Sequence, residues 1–370
     1  MDKKNILNVV VTGYYGSGSS AVVDLLAEFK GAQICPLGKR VYEHVPFYIS
    51  GGLFNLCSVL TRGNTPLVSD GAVNSFLDAM NKLNVYDFGW FGGYNSMFGN
   101  EFENNVNDFI SSIAEKFEGG NVNHNIRTAY KAKSVFFQIL SSLHHLKFPI
   151  KLKPSVIVDN KPSYHALPTD KEFYCAAREF TDSYFELFKV SDSCYIRIFD
   201  HVVLPQQIDE FKDCFKDNVK FIVLERDPRD VYVSNKYIYS ATHKPYFPID
   251  PTSFSNKWRR IINSPNKSDN VIVLRFEDLI YNYSSTLKDI EDFLNLPNDE
   301  HIFPRKYFNP DISINNTQLY NSKIEWNEDI PVLQKELSGY LYNFPYDRIG
   351  EADKAFSFDQ DKVDGSSKKV

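Results

Sequence analysis

Ile6-Leu-Asn-Val-Val-Val-Thr-Gly13-Tyr-Tyr-Gly-Ser-Gly-Ser-Ser20-Ala-Val-Val-Asp-Leu-Leu26 is the stretch on which the fold of this chain turns. Its opening residues, Ile6 to Val11, are a short β-branched run of the kind that forms a buried parallel strand. From Ser19 to Phe29 the apolar residues Val22, Val23, Leu25, Leu26 and Phe29 recur with helical spacing. Between them lies Gly13-Tyr-Tyr-Gly-Ser-Gly-Ser-Ser20. Strand, glycine-rich loop and helix in that order is the context in which backbone amides gather around a phosphate. A plain strand–helix turn needs fewer glycines and serines than this loop carries. Gly13, Gly18 and Ser20 follow the spacing G-x-x-x-x-G-K-[ST], but Ser19 stands where that pattern has its lysine. A phosphate loop without the residue that reaches a γ-phosphate points to a nucleotide whose reactive end is not a triphosphate.

A second phosphate signature, Arg226-Asp-Pro-Arg-Asp-Val-Tyr-Val-Ser234, lies about two hundred residues further on. It follows the buried-strand pattern Lys220-Phe-Ile-Val-Leu-Glu225, which places Arg226 at a strand end and Ser234 about two turns into the next helix. Arginine suits phosphate because its planar fork donates two parallel hydrogen bonds. Two separate signatures imply a nucleotide with two separately recognised phosphate groups. Arg229 and Asp230 read as a local structural pair.

The remaining pattern is mostly α/β. Strand signals recur at Ser155 to Val158, Cys194 to Phe199 and Val271 to Arg275, and a helix is expected from Lys171 to Phe188, capped by Thr169 or Asp170. Strands alternating with helices predict a mostly parallel sheet flanked by helices. Residues 50–150 break the alternation. Val68 to Leu83, with Asp70 a candidate N-cap, Phe102 to Phe117, and Asn125 to Leu146 all have helical spacing. Between the first two lies the aromatic and glycine-rich stretch from Val85 to Phe98. The block reads as a helical insertion, within one domain over 1–350. Residues 351–370 are polar and expected to be disordered.

These stretches resemble the PAPS-dependent sulfotransferase family. Ser17-Gly18-Ser19-Ser20 resembles its 5′-phosphosulfate loop, [KR]-S-G-[ST]-[ST]. Arg226-x-Pro-x5-Ser234 is similar to its 3′-phosphate motif, with identical spacing. Arg275-Phe-Glu-Asp-Leu279, followed by Leu287 to Leu296, resembles "RYEDL…FLGL". Asp159-Asn-Lys-Pro-Ser-Tyr164 resembles the "EKTPxY" segment of the carbohydrate branch. The four stand in the family's order and cover roughly residues 5–50 and 155–325. The resemblance implies a P-loop NTPase-like sulfotransferase fold and PAPS as co-substrate, with PAP released and no metal required.

It also implies roles residue by residue. Gly16, Ser17, Gly18, Ser19 and Ser20 would hold the 5′-phosphosulfate, and Arg226 and Ser234 the 3′-phosphate. Gly16 replaces the family's lysine or arginine, so the charge at the leaving group must come from Lys39, Arg40 or Lys161. Lys161 matches the lysine of "EKTPxY", with Asp159 and His165 flanking it. The base would be Glu43, which stands shortly before Phe47 and Tyr48. His44 is its rival, because imidazole titrates near neutrality. Ser313 to Tyr320 resembles a loop that closes over the nucleotide, while Glu277 and Asp278 read as structural. The acceptor implied is a hydroxyl or amine on a glycan or glycolipid, with a sterol or other flat lipid as the alternative. A P-loop kinase of a small molecule is the competing enzyme class, opposed by Ser19. A nucleotide-binding protein without activity is the third.

Composition narrows the field. Of 370 residues 43% are hydrophobic and 24% charged, enough for a sizeable core. The net charge of −6 opposes non-specific nucleic-acid binding. Cys35, Cys57, Cys175, Cys194 and Cys214 are scattered without C-x-x-C spacing, which indicates neither a zinc site nor a disulfide framework. No segment approaches the ~18 apolar residues of a membrane span, and the start is unlike a signal peptide, so a cytoplasmic location is expected.

Overall fold

The computed structural model describes residues 6–37, 42–117, 162–240, 245–262, 265–349 and 354–355. The expected strand at Ser155 to Val158, the helix at Asn125 to Leu146, Lys161, Lys39, Arg40 and the tail beyond 355 lie outside the described residues. The chain divides into two compact units: Met1–His44 with Phe188–Lys212 and Lys216–Val370, and Val45–Leu187 with Asp213–Phe215. The described strands are β1 (Leu7–Gly13), β2 (Ala32–Ile34), β3 (Glu115–Phe117), β4 (Ser163–His165), β5 (Ile196–Asp200), β6 (Val219–Glu225) and β7 (Val271–Arg275).

The first unit is built on a five-stranded sheet in the order β2-β5-β1-β6-β7, parallel throughout. Val9 lies between Ile198 and Lys220 at the centre of the sheet. Val9, Val10 and Val11 are fully buried, as expected of a strand covered on both faces. Helix α1 (Ser20–Leu26) lays Val22, Val23, Leu25 and Leu26 into one cluster with Val9, Val11, Ile198, Ile222 and Leu224. Full burial of each such side chain is worth about 1.5–3 kcal/mol. Because the strands are parallel, the chain leaves β1 at Gly13, β5 at Asp200, β6 at Glu225 and β7 at Arg275 on one edge of the sheet. In open parallel sheets that edge is where ligands bind.

The second unit is helical, with α2 (Leu53–Thr61), α3 (Pro66–Val85), α4 (Tyr94–Phe98), α5 (Glu101–Ile113) and α6 (Asp170–Leu187). Thr65 caps α3, its hydroxyl accepting from the Val68 amide at 3.3 Å, with Pro66 at the first helical position. Asp70, expected as the cap, lies inside the helix instead. It is buried, and its Oδ1 accepts from the Tyr164 amide at 2.8 Å. The helix expected to run to Phe117 ends at Ile113, where Ala114 turns extended, and Glu115–Phe117 pairs antiparallel with Ser163–His165. At the start of α6, Thr169 and Glu172 form a reciprocal cap: the Thr169 amide donates to Glu172 at 2.8 Å and the Glu172 amide to Thr169 Oγ1 at 3.3 Å. The core here is aromatic, with Phe47, Phe76, Phe109, Phe180 and Tyr184 in edge, tilted or stacked contacts. No described helix is long and apolar enough to cross a membrane.

Candidate functional site

The loop between β1 and α1 owes its shape to its glycines. Gly16 and Gly18 have φ of +80° and +82°, the left-handed region that glycine adopts without penalty. Alternation of such residues turns successive backbone N–H groups inward, making an anion-binding concavity. A Cβ on Gly13 would lie 2.1 Å from Ser17 Oγ and 2.9 Å from the Leu224 carbonyl, so only glycine lets the loop fold back against β6. The contact also shows that the Ser17 hydroxyl lies beneath the loop, and the Ser17 amide donates to Tyr14 O at 2.8 Å. The amide that the sequence reading assigned to phosphate is therefore spent on the turn. Ser19 takes the N-cap position of α1, yet its hydroxyl makes no capping bond.

The second signature reaches the same loop. Arg226 leaves β6 almost fully buried; its Nη1 donates to Gly16 O at 2.9 Å, its Nη2 donates to Asn316 O, and its guanidinium lies 5.0 Å from the centre of the Phe276 ring. The phosphate loop, the late loop and the strand end are thus tied by one side chain. Helix α7 (Pro228–Val233) follows, then a π-helical segment, Ser234–Tyr239. Such segments recur at functional sites. Ser234 opens it, fully buried, and its hydroxyl has no hydrogen-bond partner among the described residues.

Arg229 does not pair with Asp230 as expected. It pairs with Asp227, Nε to Oδ1 at 2.9 Å and Nη2 to Oδ2 at 2.7 Å, and Asp227 also caps α7 through the Arg229 amide. Asp230 accepts instead from the Gln318 and Leu319 amides at 2.8 and 2.7 Å, which fastens the late loop beside Arg226. Glu277 is buried and accepts from the Asp227 amide at 2.7 Å, and Asp278 accepts from the Tyr342 hydroxyl at the same distance. Both carboxylates hold the frame of the site.

Glu43 and His44 part company. Glu43 forms an isolated parallel bridge with Asp200 at the end of β5. His44 is fully buried and packs edge-on against the rings of Tyr42, Phe188 and Phe199. Its Nε2 is 3.0 Å from the Cys35 carbonyl, to which it donates. Burial drives its pKa down to about 3, so the ring stays neutral. The histidine read as the rival base is built as a core residue.

A different histidine stands at the sheet edge. His201 follows β5 directly, with φ of +51°. Its Nδ1 is 2.7 Å from Asp200 Oδ1, and the Gly13 carbonyl lies close enough to favour its charged form. Burial opposes its charge, but Asp200, then Glu43 and that carbonyl, carry the pKa up to about 9. His201 is therefore an imidazolium at neutral pH, set against the first glycine of the phosphate loop. Sequence reasoning missed it. The strand Cys194 to Phe199 was legible, and Asp200-His201 immediately past its end was the signal. Beside Glu43, Tyr15 stacks on Tyr246 with ring centres 5.0 Å apart.

Residues 144–300 match the model of the sulfotransferase family. No curated protein matches the chain. Solved structures similar to it include a sulfotransferase domain from the curacin biosynthetic pathway (10% identity, 97% of each chain, TM-score 0.33). Another is retinol dehydratase in complex with androsterone and inactive cofactor PAP (13% identity, 92% of this chain and 82% of that one, TM-score 0.32). A third is a sulfotransferase from Mycobacterium avium (11% identity, 94% and 79%, TM-score 0.36).

Proposed function

We propose that this chain, whose residues 144–300 match the sulfotransferase family model, moves the sulfuryl group of PAPS to a hydroxyl or amine of a glycan or glycolipid. The observation that carries the reading is the meeting of both phosphate signatures on one sheet edge, where Arg226 bonds to the phosphate loop itself at Gly16. PAPS supplies the activated sulfuryl group. The residues present suit it: a glycine-shaped anion concavity, an uncapped Ser19 hydroxyl, and a buried Ser234 hydroxyl without a partner among the described residues. The loop from Gly16 to Ser20 would hold the 5′ end, and Arg226 with Ser234 the 3′-phosphate.

Transfer of this kind is governed by positioning and electrostatics. The family's loop cation is missing at Gly16. His201 supports the reading as its replacement, because it is charged at neutral pH and the Gly13 carbonyl helps to hold that charge. The resemblance of its segment to the carbohydrate branch makes Lys161 a further candidate for that charge. Glu43, bridged to Asp200 and close to His201, is the proposed base for the acceptor hydroxyl. The stacked Tyr15–Tyr246 pair offers an apolar surface beside it, which suits either the face of a sugar or the flat ring system of a sterol.

Calorimetry with PAP, 5′-AMP and ATP tests the nucleotide, and labelled PAPS with a panel of glycans, glycolipids and sterols tests the transfer. PAP should bind well without magnesium and far more tightly than 5′-AMP. Glu43→Gln should leave PAP binding intact while slowing sulfation by about 10²–10³, within the range for a positioned base. ATP bound in preference to PAP would transfer the assignment to the kinases. PAP binding without turnover on any acceptor would leave a nucleotide-binding protein.

A further inference from the structure

The second unit carries a cavity of its own between α3 and α5, with a volume of about 250 Å³. That is slightly below the ~300–1,000 Å³ of sites for drug-sized ligands, and suits a single ring with its substituents. Asp78, Asn81 and Asn84 bring one helix face to it, and Glu103 and Asn107, one helical turn apart, bring another. Phe102 forms part of its apolar floor. Asn84 is 95% buried, and its Oδ1 has no hydrogen-bond partner among the described residues. A buried amide oxygen in that state costs stability.

We infer that this cavity is a subsite for a neutral sugar ring. Carboxamides offer both donors and acceptors, which is what a ring of hydroxyls presents in return. The two carboxylates add acceptors, while the apolar floor takes the ring's C–H face. Among the described residues the lining contains no lysine, arginine or histidine, so an anionic ligand finds no counter-charge there and is repelled by Asp78 and Glu103. A sugar that already carries a sulfate is disfavoured on the same ground.

The surface next to the cavity fits the same ligand. Just past Asn84 the chain leaves α3 in a turn closed by the Gly93 amide, which donates to Leu83 O and Tyr86 O at 2.8 Å each. The turn displays Tyr86, Phe88 and Trp90, exposed to 59%, 48% and 49%. Flat aromatic faces in the turn that follows α3 provide stacking surfaces for the next units of a chain of sugars. The inference rests on the second unit alone. It would identify the proposed glycan acceptor if the transfer reading holds, and it survives if that reading fails.

The test is binding of the full-length protein to an array of neutral and sulfated oligosaccharides, with spermidine as the cationic control and PAP affinity measured alongside. Neutral oligosaccharides should bind in preference to their sulfated forms. Asn81→Ala, at an exposed position that folding tolerates, and Asn84→Leu should each weaken that binding about tenfold, as loss of one good hydrogen bond does. Glu103→Gln should narrow the preference for neutral over sulfated sugars, and PAP affinity should be unchanged in all three. No binding of neutral glycans, equal binding by the asparagine variants, or binding of spermidine alone would overturn the assignment.

Discussion

His201→Gln is the most searching perturbation of the site, because it removes one charge and keeps a hydrogen-bonding side chain. The wild-type imidazole titrates at about 9, so at pH 7 only about one molecule in a hundred carries it neutral. Burial works against that charge; Asp200 at 2.7 Å, Glu43 and the Gly13 carbonyl more than offset it. At 1.36 kcal/mol per pH unit, the rise from 6.5 to about 9 corresponds to about 3 kcal/mol of folding free energy. The group's pKa is raised in the folded state. Its stabilisation is therefore complete below pH 6.5 and is lost as the pH rises through 9. Urea denaturation at pH 6, 7.5 and 9.5 reads this directly: the wild type should lose about 3 kcal/mol across the series relative to His201→Gln. Turnover with PAPS should fall by about 10²–10³ in the variant if the imidazolium replaces the missing loop cation, with PAP still bound. Parallel pH–stability curves for the two proteins would refute the charge assignment. Parallel curves together with normal turnover would remove His201 from the site.

His44 should behave in the opposite sense: its pKa is lowered to about 3, so stability is complete above pH 6.5 and falls as the pH drops toward 3, a loss that His44→Phe should abolish in acid denaturation while sulfation continues. Gly18→Ala should destabilise the protein by about 1–3 kcal/mol and weaken PAP in a thermal-shift titration, because φ is +82° there and the new Cβ would lie 3.2 Å from the Phe276 ring. Arg226→Ala should weaken PAP by about 1.5–3 kcal/mol in calorimetry and 5′-AMP by less, since the side chain also anchors the loop at Gly16; equal losses would reduce Arg226 to an anchor. Lys161→Ala should lower kcat by about 10²–10³ without changing PAP affinity, and near-normal turnover would pass the whole role to His201.

Strands β1, β5, β6 and β7 and the phosphate loop were legible because their signals are local. A β-branched run, glycines at set spacing and an arginine at a strand end declare themselves within ten residues, and parallel pairing then follows from alternation with helices. Local signals failed where a distant partner decided the outcome. Asp70 looks like a cap from its neighbours, but the Tyr164 amide claims it from 94 residues away. Arg229 has carboxylates on both sides, and the choice of Asp227 follows from the commitment of Asp230 to the late loop. Glu43 and His44 are adjacent in sequence and equally plausible there. Only the packing of Tyr42, Phe188 and Phe199 around the imidazole separates a core residue from an edge residue. His201 needed the sheet order, since its charge depends on β5 lying beside β1, which brings Asp200 and the Gly13 carbonyl to one ring. The sequence alone determined which chemistry-bearing segments exist and that they end strands. Which of their side chains share an edge, and which of those are charged, was decided by tertiary structure, because burial and a partner's charge act through space rather than along the chain.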